Sequence, residues 1–172
     1  MKYIDVNGGS SGSGGSDGSG GAAGGIDPTA YLARLTTLAG QLPAGARAFA
    51  TDPGHYDFSG KRCVKDLRPH EVRRIGDDRI ELHLRHNCWK HDEDLVVRYA
   101  GVSRFQVAGV DAVGGAGAVD VCDVQACGEV ILDEVLAHPQ GCSHEIACRQ
   151  GTLLVVGRDL VAEWVTADCA NI

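Results

Sequence analysis

Two short stretches rich in histidine and cysteine hold the residues best suited to chemistry. The first stretch supplies His83, His86, Cys88 and His91. Imidazole and thiolate groups are zinc ligands, and a histidine beside a cysteine can activate the thiol as a nucleophile. The spacing matches no known zinc site, so we favour a solvated polar loop. A metal-binding group, or a thiolate of Cys88 paired with His86 or His91, is the alternative.

The second stretch contains histidines and cysteines on a segment with strand-like periodicity. Its members are His138, Cys142, His144 and Cys148. A tetrahedral zinc site needs four such ligands, usually supplied as two closely spaced pairs. If residues 143–149 form an extended strand, His144 and Cys148 stand too far apart along it to share one ion easily. We predict that the cysteines fill a β core, with a zinc-stabilised structural domain as the alternative.

A run of three acids, Asp92, Glu93 and Asp94, follows the first stretch. The formal net charge of −7 disfavours binding to nucleic-acid phosphates and to anionic membrane surfaces. Acidic loops can instead dock on a basic protein, where charge steers the encounter. We predict these three residues as a partner-binding surface, with an ordinary solvated surface as the alternative. The other acids considered for the same surface are Asp120, Asp123, Asp133 and Glu134.

Signatures of the common enzyme classes are missing from the sequence. It has no P-loop, and it has neither a Gly-x-Ser-x-Gly elbow nor a Gly-x-Gly-x-x-Gly turn between a predicted strand and a helix. Motifs therefore favour a binding protein over an enzyme.

The first 25 residues are expected to contribute little to a folded core. Residues 8–25 are almost entirely glycine, serine and alanine, a composition typical of a flexible linker. We interpret residues 1–25 as a flexible leader, of the artificial kind added for protein expression, and residues 26–172 as one β-rich domain. We expect residues 1–7 (MKYIDVN) to be a disordered tag. The alternative is that this β-prone segment reaches back and pairs with a sheet edge.

Neither a secretory signal nor a membrane-spanning stretch is recognisable in the sequence. The chain is therefore predicted to be cytoplasmic, where thiols stay reduced. Its cysteines number seven, an odd count that cannot be fully paired within one chain.

One helix is predicted near the start of the domain. Asp27 is a good N-cap, and Pro28 suits the first helical position. Apolar residues at positions 31, 35 and 38 form one stripe, and Gly40 is placed to end the helix. Prolines and glycines then predict short extended pieces and turns over residues 41–60.

Beyond residue 61 the hydrophobic period changes to that of a strand. Ile80, Leu82 and Leu84 alternate with charged and polar residues and are predicted to face inward. The predicted strands are 71–75, 79–85, 94–100, 102–107, 129–137, 143–149, 152–156 and 160–165. A helix over residues 120–136 is a competing interpretation, but Gly128 and the β-branched pair Val130 and Ile131 favour a strand there.

Tight turns between these segments indicate antiparallel pairing. We predict a mainly β domain of the α+β class, with an antiparallel meander of about eight strands closed into a sandwich or a partial barrel. The amino-terminal helix is expected to pack on the sheet.

Two segments carry a likeness to known proteins, residues 82–105 (LHLRHNCWKHDEDLVVRYAGVSRF) and residues 132–164 (LDEVLAHPQGCSHEIACRQGTLLVVGRDLVAEW). A strand, a polar loop, a strand ending in Gly-Val-x-x-Phe and a final three-strand meander follow one another. This layout resembles small β-rich actinobacterial proteins and is similar to domains of bacterial toxin-immunity proteins. The resemblance implies inhibitory protein binding without catalysis, and it transfers no functional residue to this chain.

These observations predict a non-enzymatic protein-binding module, of the immunity type, that occupies the basic cleft of a toxin with its acidic loops. One alternative is a small metal- or cysteine-dependent β-barrel enzyme, in which His83, His86, Cys88 and His91 converge on a pocket. The other is the zinc-stabilised domain. No cofactor is predicted apart from the zinc of these alternatives.

Overall fold

The computed structural model describes residues 1–4, 27–109 and 124–167 of the chain. Most of the predicted leader and of the glycine- and alanine-rich segment after residue 109 therefore lie outside the described residues, as do Asp120, Cys122, Asp123 and Cys169. The elements are α1 (Thr29–Ala39), α2 (Ala44–Ala50), β1 (Arg68–Arg74), β2 (Arg79–Arg85), β3 (Glu93–Ala100), β4 (Arg104–Ala108), a short 3-10 helix (Val124–Cys127), β5 (Val130–His138), β6 (Gly141–Cys148), β7 (Thr152–Gly157) and β8 (Asp159–Thr166).

The eight strands form two antiparallel sheets of four strands each. The first sheet has the order β1-β2-β3-β8 and the second β4-β7-β6-β5. The chain changes sheets after β3 and again after β7, so the topology is more than a succession of hairpins. Within the described residues neither sheet closes into a barrel. The predicted α+β sandwich is confirmed, and the partial barrel is not formed.

Alternation with a period of two places the core between the sheets. Ile80, Leu82 and Leu84 of β2 are all buried, as predicted, and they pair in register with buried residues of β3. Buried side chains of the second sheet, such as Ile146 and Leu153, belong to the same apolar cluster. One continuous core therefore joins the two sheets.

The segment with two competing interpretations contains a strand. Its described part has only one turn of 3-10 helix before β5 starts at Val130. Gly128 separates the two elements with a φ of +74°, a conformation that glycine adopts without strain. The helix interpretation was wrong for this part, and residues 120–123 lie outside the described residues.

A second helix, α2, lies where the sequence predicted extended pieces and turns. The backbone N–H groups of Gly45 and Ala46 donate to the carboxylate of Asp159, at 3.1 and 2.9 Å. A Cβ on Gly45 would lie 1.9 Å from the carbonyl oxygen of Leu160, so only glycine permits this close approach to β8. The prediction failed here because the capping group comes from a distant strand rather than from a neighbouring residue.

Helix α1 begins and ends close to the predicted positions, and it reaches an edge of the second sheet. Tyr31 and Leu35 are its buried residues. The Tyr31 hydroxyl donates to the carbonyl oxygen of Val135 at 2.8 Å and accepts the Val135 N–H at 3.1 Å. It thereby satisfies both backbone groups that edge strand β5 would otherwise leave open at this position.

Residues 1–4 lie on β5 and β6 and contact the side chains of Glu134 and Glu145. None of these four residues belongs to a strand. Because Tyr31 occupies the backbone groups of Val135, the edge of β5 is closed to strand pairing at that residue. Residues 5–7 lie outside the described residues, so edge pairing by the rest of this segment stays a prediction.

Neither helix in the described part of the chain has the length and apolar character needed to cross a bilayer.

Candidate functional site

The loop between β2 and β3 is held to the rest of the domain by buried contacts. Nε2 of His91 donates to the carbonyl oxygen of Cys63 at 3.0 Å, and its Nδ1 accepts the Asn87 N–H at 3.3 Å. The Lys90 ammonium donates to the carbonyl oxygen of Lys65 at 3.1 Å. A loop fixed at its base in this way presents its remaining side chains in a defined geometry.

Three side chains at this loop form a linear chain of hydrogen bonds. Sγ of Cys88 lies 3.2 Å from Nε2 of His86, and Nδ1 of the same ring lies 2.7 Å from Oδ1 of Asp94. The Asp94 oxygen also accepts the His86 backbone N–H at 2.7 Å. Cys88 is exposed, whereas His86 is buried. The arrangement joins a nucleophile, a base and an orienting carboxylate.

The hydrogen-bond partners of His86 define the tautomer of its ring. Asp94 accepts a hydrogen from Nδ1, which leaves the Nε2 lone pair directed at the thiol of Cys88. The thiol can therefore pass its proton to Nε2, and the carboxylate of Asp94 stabilises the imidazolium that results. The geometry can generate a thiolate at an exposed position.

The other cysteines in the described part of the chain are buried. They are Cys63, Cys127, Cys142 and Cys148. Burial raises the pKa of Cys142 to about 11 and that of Cys148 to about 12, so both remain protonated thiols. These two residues fill the core as predicted, and Cys88 differs from them in both exposure and neighbours.

A basic cleft of about 360 Å³ adjoins the histidine of this group. Arg68, His70, Arg85 and Gln125 line it together with His86. Guanidinium groups favour planar anions such as carboxylates and phosphates. The cleft therefore places the guanidinium group of Arg85 beside His86, whereas the charge of Arg68 is neutralised by Glu129 at 2.6 Å.

The first predicted group does not converge on one point. His83 lies 2.7 Å from Glu81, and His91 bonds to the backbone of Cys63 beneath the loop. Only His86 and Cys88 are in contact with each other. The structure thus brings together the thiol–imidazole pair that was one alternative from the sequence, and it adds Asp94 to that pair.

Each of the three acids predicted as a partner-binding surface has a partner within the chain. Asp92 forms an ion pair with Lys61, and Glu93 binds Arg62 through two hydrogen bonds of 2.6 and 2.9 Å. Asp94 orients His86. These contacts neutralise charge that an incoming basic protein would use. The partner-binding role of the run stays a prediction.

Trp89 lies beside Cys88 on the same loop and is 73% exposed. An indole ring in water exposes a large apolar surface, and tryptophan is enriched at the energetic centres of protein interfaces. Trp89 therefore adds an apolar contact surface next to the thiol.

The second predicted group does not form a metal centre. Both ring nitrogens of His144 are already bonded, Nε2 to Asp133 at 2.9 Å and Nδ1 to the Tyr99 hydroxyl at 2.7 Å. No cluster of three or more histidine, cysteine, aspartate or glutamate side chains suited to a metal ion occurs among residues 1–4, 27–109 and 124–167.

A buried polar network around Asp133 crosses the core between the two sheets. The two carboxylate oxygens of Asp133 lie 2.8 and 2.9 Å from Nε2 of His55, and Nδ1 of His55 lies 3.0 Å from the carbonyl oxygen of Phe49. Since a carbonyl and a carboxylate both accept, both ring nitrogens of His55 face hydrogen-bond acceptors. Burial alone would raise the pKa of Asp133, but His55 and His144 outweigh it and hold that pKa well below its usual range.

This network corrects one prediction from the sequence. Asp133 and Glu134 were considered for an acidic surface, yet each is only 1% exposed. No local pattern could predict the His55–Asp133 pair, because the two residues are 78 positions apart. The alternation of β5 was the one available clue, since it assigns Asp133 and Val135 to the same inward face.

Comparison with known proteins yields no matching family model and no curated relative. The resemblance to toxin-immunity domains therefore stays a prediction.

Proposed function

We propose that the chain is a cysteine-dependent enzyme that catalyses acyl transfer or hydrolysis with Cys88 as its nucleophile. The observation that supports this proposal is the hydrogen-bond chain from Cys88 through His86 to Asp94, with distances of 3.2 and 2.7 Å. Thiol enzymes use this combination of residues in these roles.

The reaction follows from the order of the three groups. His86 accepts the thiol proton at Nε2, and the Cys88 thiolate attacks the carbonyl carbon of an ester, thioester or amide. The leaving group takes that proton from His86, and a thioester to Cys88 remains. Water or another acceptor, deprotonated by His86, then releases the acyl group and restores the thiol. Asp94 keeps the ring oriented in every step.

The surroundings of the thiol favour an anionic acyl donor. Arg85 lines the cleft beside His86 and can bind the anionic group, while Arg68 in the same cleft is already ion-paired with Glu129 at 2.6 Å. Trp89 offers an apolar surface to the remainder of such a substrate. A cytoplasmic location suits this chemistry, because a reducing compartment keeps Cys88 as a free thiol.

Alkylation by iodoacetamide tests whether His86 activates Cys88. Modification of Cys88 at pH 7, located by mass spectrometry of proteolytic fragments, is expected to be about tenfold slower in His86→Asn, because the thiol loses its base. Asp94→Asn is expected to give an intermediate rate. His83→Asn is the matched control, since His83 bonds to Glu81 and does not contact the thiol.

Hydrolysis of 4-nitrophenyl esters and of acyl thioesters tests catalysis directly. Cys88→Ser is expected to lower the rate by about 100-fold or more, because a serine hydroxyl is a far weaker nucleophile beside this base. Equal alkylation rates in wild type and His86→Asn, together with ester hydrolysis that survives Cys88→Ser, would refute the proposal.

A second candidate function is the protein-binding module that the sequence predicted. The exposed Trp89 favours it, together with Asp92 on the same loop and Glu93 at the start of β3. The partner would be a basic toxin domain encoded by a gene near that of this protein. We then expect Trp89→Ala to abolish binding to it and Cys88→Ser to keep that binding. Association with that domain would slow as salt increases. The double variant Asp92→Asn, Glu93→Gln leaves Cys88, His86 and Asp94 unchanged. It therefore isolates the contribution of the two acids to binding.

A further inference from the structure

Glu134 of β5 and Glu145 of β6 form a pair of carboxylates on the outer face of the second sheet. They are directly opposite each other in the register of the two strands. Their neighbours Asp133 and His144 point into the core, so alternation directs both glutamates to the other face. Two like charges in this arrangement repel each other unless hydrogen-bond donors or a cation lie between them. Yet Glu134 is only 1% exposed, so the face is covered at that residue, while the side chain of Glu145 is 31% exposed.

Residues 1–4 supply the groups that cover the pair. The amino-terminal ammonium group of Met1 lies 2.6 Å from Oε1 of Glu145. The backbone N–H groups of Lys2 and Tyr3 donate to the two carboxylate oxygens of Glu134, at 2.6 and 2.7 Å. Hydrogen bonds in which at least one partner is charged are about twice as strong as neutral ones. The two carboxylates therefore bind the backbone of the segment and not its side chains.

Apolar and aromatic contacts complete the site. Ile4 is buried as part of the main apolar cluster, and Met1 and Tyr3 pack against that cluster. The Arg34 guanidinium of α1 lies 4.9 Å from the centre of the Tyr3 ring, within cation–π distance. The fourth residue of the bound segment thus provides the apolar anchor.

We propose that the outer face of β5 and β6 is a binding site for amino-terminal peptide segments. It recognises a free α-ammonium group through Glu145, the next two backbone N–H groups through Glu134, and an apolar fourth residue. The first four residues of this chain are its occupant in the structure. A peptide with the same free amino terminus competes with them. The site is independent of the function proposed for Cys88.

Tryptic cleavage after Lys2 of the full chain tests the intramolecular contact. A docked segment is protected because the Tyr3 N–H is bonded to Glu134, so Glu134→Gln is expected to increase the cleavage rate by about tenfold. Glu163→Gln on β8 is the matched control, because that residue bonds to Arg98 on the other sheet. Equal cleavage rates in wild type and Glu134→Gln, with circular dichroism showing both folded, would overturn the proposal.

A synthetic peptide tests recognition of the amino terminus between molecules. The full chain carrying Ile4→Asp has a weakened occupant, and fluorescence polarisation of the peptide MKYIDVN, labelled at its carboxyl end, reports binding to it. Acetylation of the peptide removes the ammonium charge and is expected to weaken binding by about tenfold or more. Equal affinities of the free and acetylated peptides, or no binding of either, would show that the face does not recognise amino termini.

Discussion

At the scale of single residues, two aspartates bind histidines in different surroundings. The side chain of Asp94 is 36% exposed and orients His86. Asp133 is 1% exposed and binds two buried histidines. The sequence alone does not distinguish an aspartate exposed to water from one buried in the core. Only the fold tells them apart.

The buried Asp133–His55 pair should make a large contribution to stability. Asp133→Asn removes the buried carboxylate to which His55 and His144 bond, and we expect the free energy of unfolding to decrease by about 3–5 kcal/mol. Urea denaturation followed by circular dichroism measures this change. Tyr99→Phe is the control, because it removes one hydrogen bond to His144 and should cost about 1 kcal/mol. If Asp133→Asn and Tyr99→Phe lower the free energy of unfolding by similarly small amounts, the Asp133–His55 contact does not have the predicted importance.

His91 should make stability depend on pH near neutrality. Burial, the largest effect, lowers the pKa of this imidazole from its ordinary value of 6.5. The unfolded chain therefore binds a proton more readily than the folded chain as the pH falls. The contribution of His91 is complete above about pH 6.5 and is lost as the pH falls below that value towards the folded-state pKa.

Denaturation midpoints at pH 7.5, 6.5 and 5.5 measure this dependence. In wild type the free energy of unfolding should decrease between pH 6.5 and pH 5.5. It should decrease less in His91→Gln, which has no titrating ring. A pH-independent midpoint in wild type would contradict the expectation.

The thiol–imidazole contact was only partly predictable. The spacing of His86, Cys88 and His91 offered two possible bases for the cysteine, and the sequence could not choose between them. The turn from Asn87 to His91 makes the choice, because it directs His91 down to the Cys63 carbonyl and leaves His86 beside Cys88. Within that turn the Asn87 carbonyl oxygen accepts the N–H groups of Lys90 and His91 at 2.8 Å each, and the Cys63 carbonyl below it is 28 positions away in the sequence.

At the scale of elements, local pattern predicted the strands well. The segment 79–85 coincides with β2, and each of the other seven predicted strands overlaps an observed one. Two-residue alternation is an intrinsic property of a half-buried strand, so it can be recognised without knowledge of the fold. The order of the strands in the sheets depends on which edges meet in space, and alternation does not contain that information.

Helix α2 is stabilised from outside, which gives a testable consequence. Asp159→Ala removes the acceptor for the Gly45 and Ala46 N–H groups, and we expect a loss of about 1–2 kcal/mol in the free energy of unfolding. Glu163→Ala on the same strand is the control, because its side chain is exposed and its ion pair with Arg98 contributes little. Equal effects of the two substitutions would show that capping of α2 is unimportant.

At the scale of the whole molecule, the two sheets share one core and one polar network. The bond between Tyr99 of β3 and His144 of β6 crosses from the first sheet to the second. Their apolar residues belong to a single cluster. Neither sheet can expose its inner face without exposing that of the other, so we expect the domain to unfold as a unit.

Cooperative unfolding can be measured with one reporter in each sheet. In Trp89→Phe, fluorescence comes from Trp164 of β8 alone, and pulse alkylation of Cys148 reports on the second sheet. The two denaturation midpoints should coincide. Separate midpoints would show that the sheets unfold independently. Cys142 is a second buried thiol in the same sheet and serves as an internal comparison.

The position of β8 has a consequence for biosynthesis. β8 pairs with β3, and Trp164 lies opposite Leu95. Among the described elements, β8 is the last to leave the ribosome, so β3 keeps an unpaired edge throughout translation of the second sheet. A nascent chain in that interval offers a template for wrong association. Chaperone engagement would be most valuable between the emergence of β3 and that of β8.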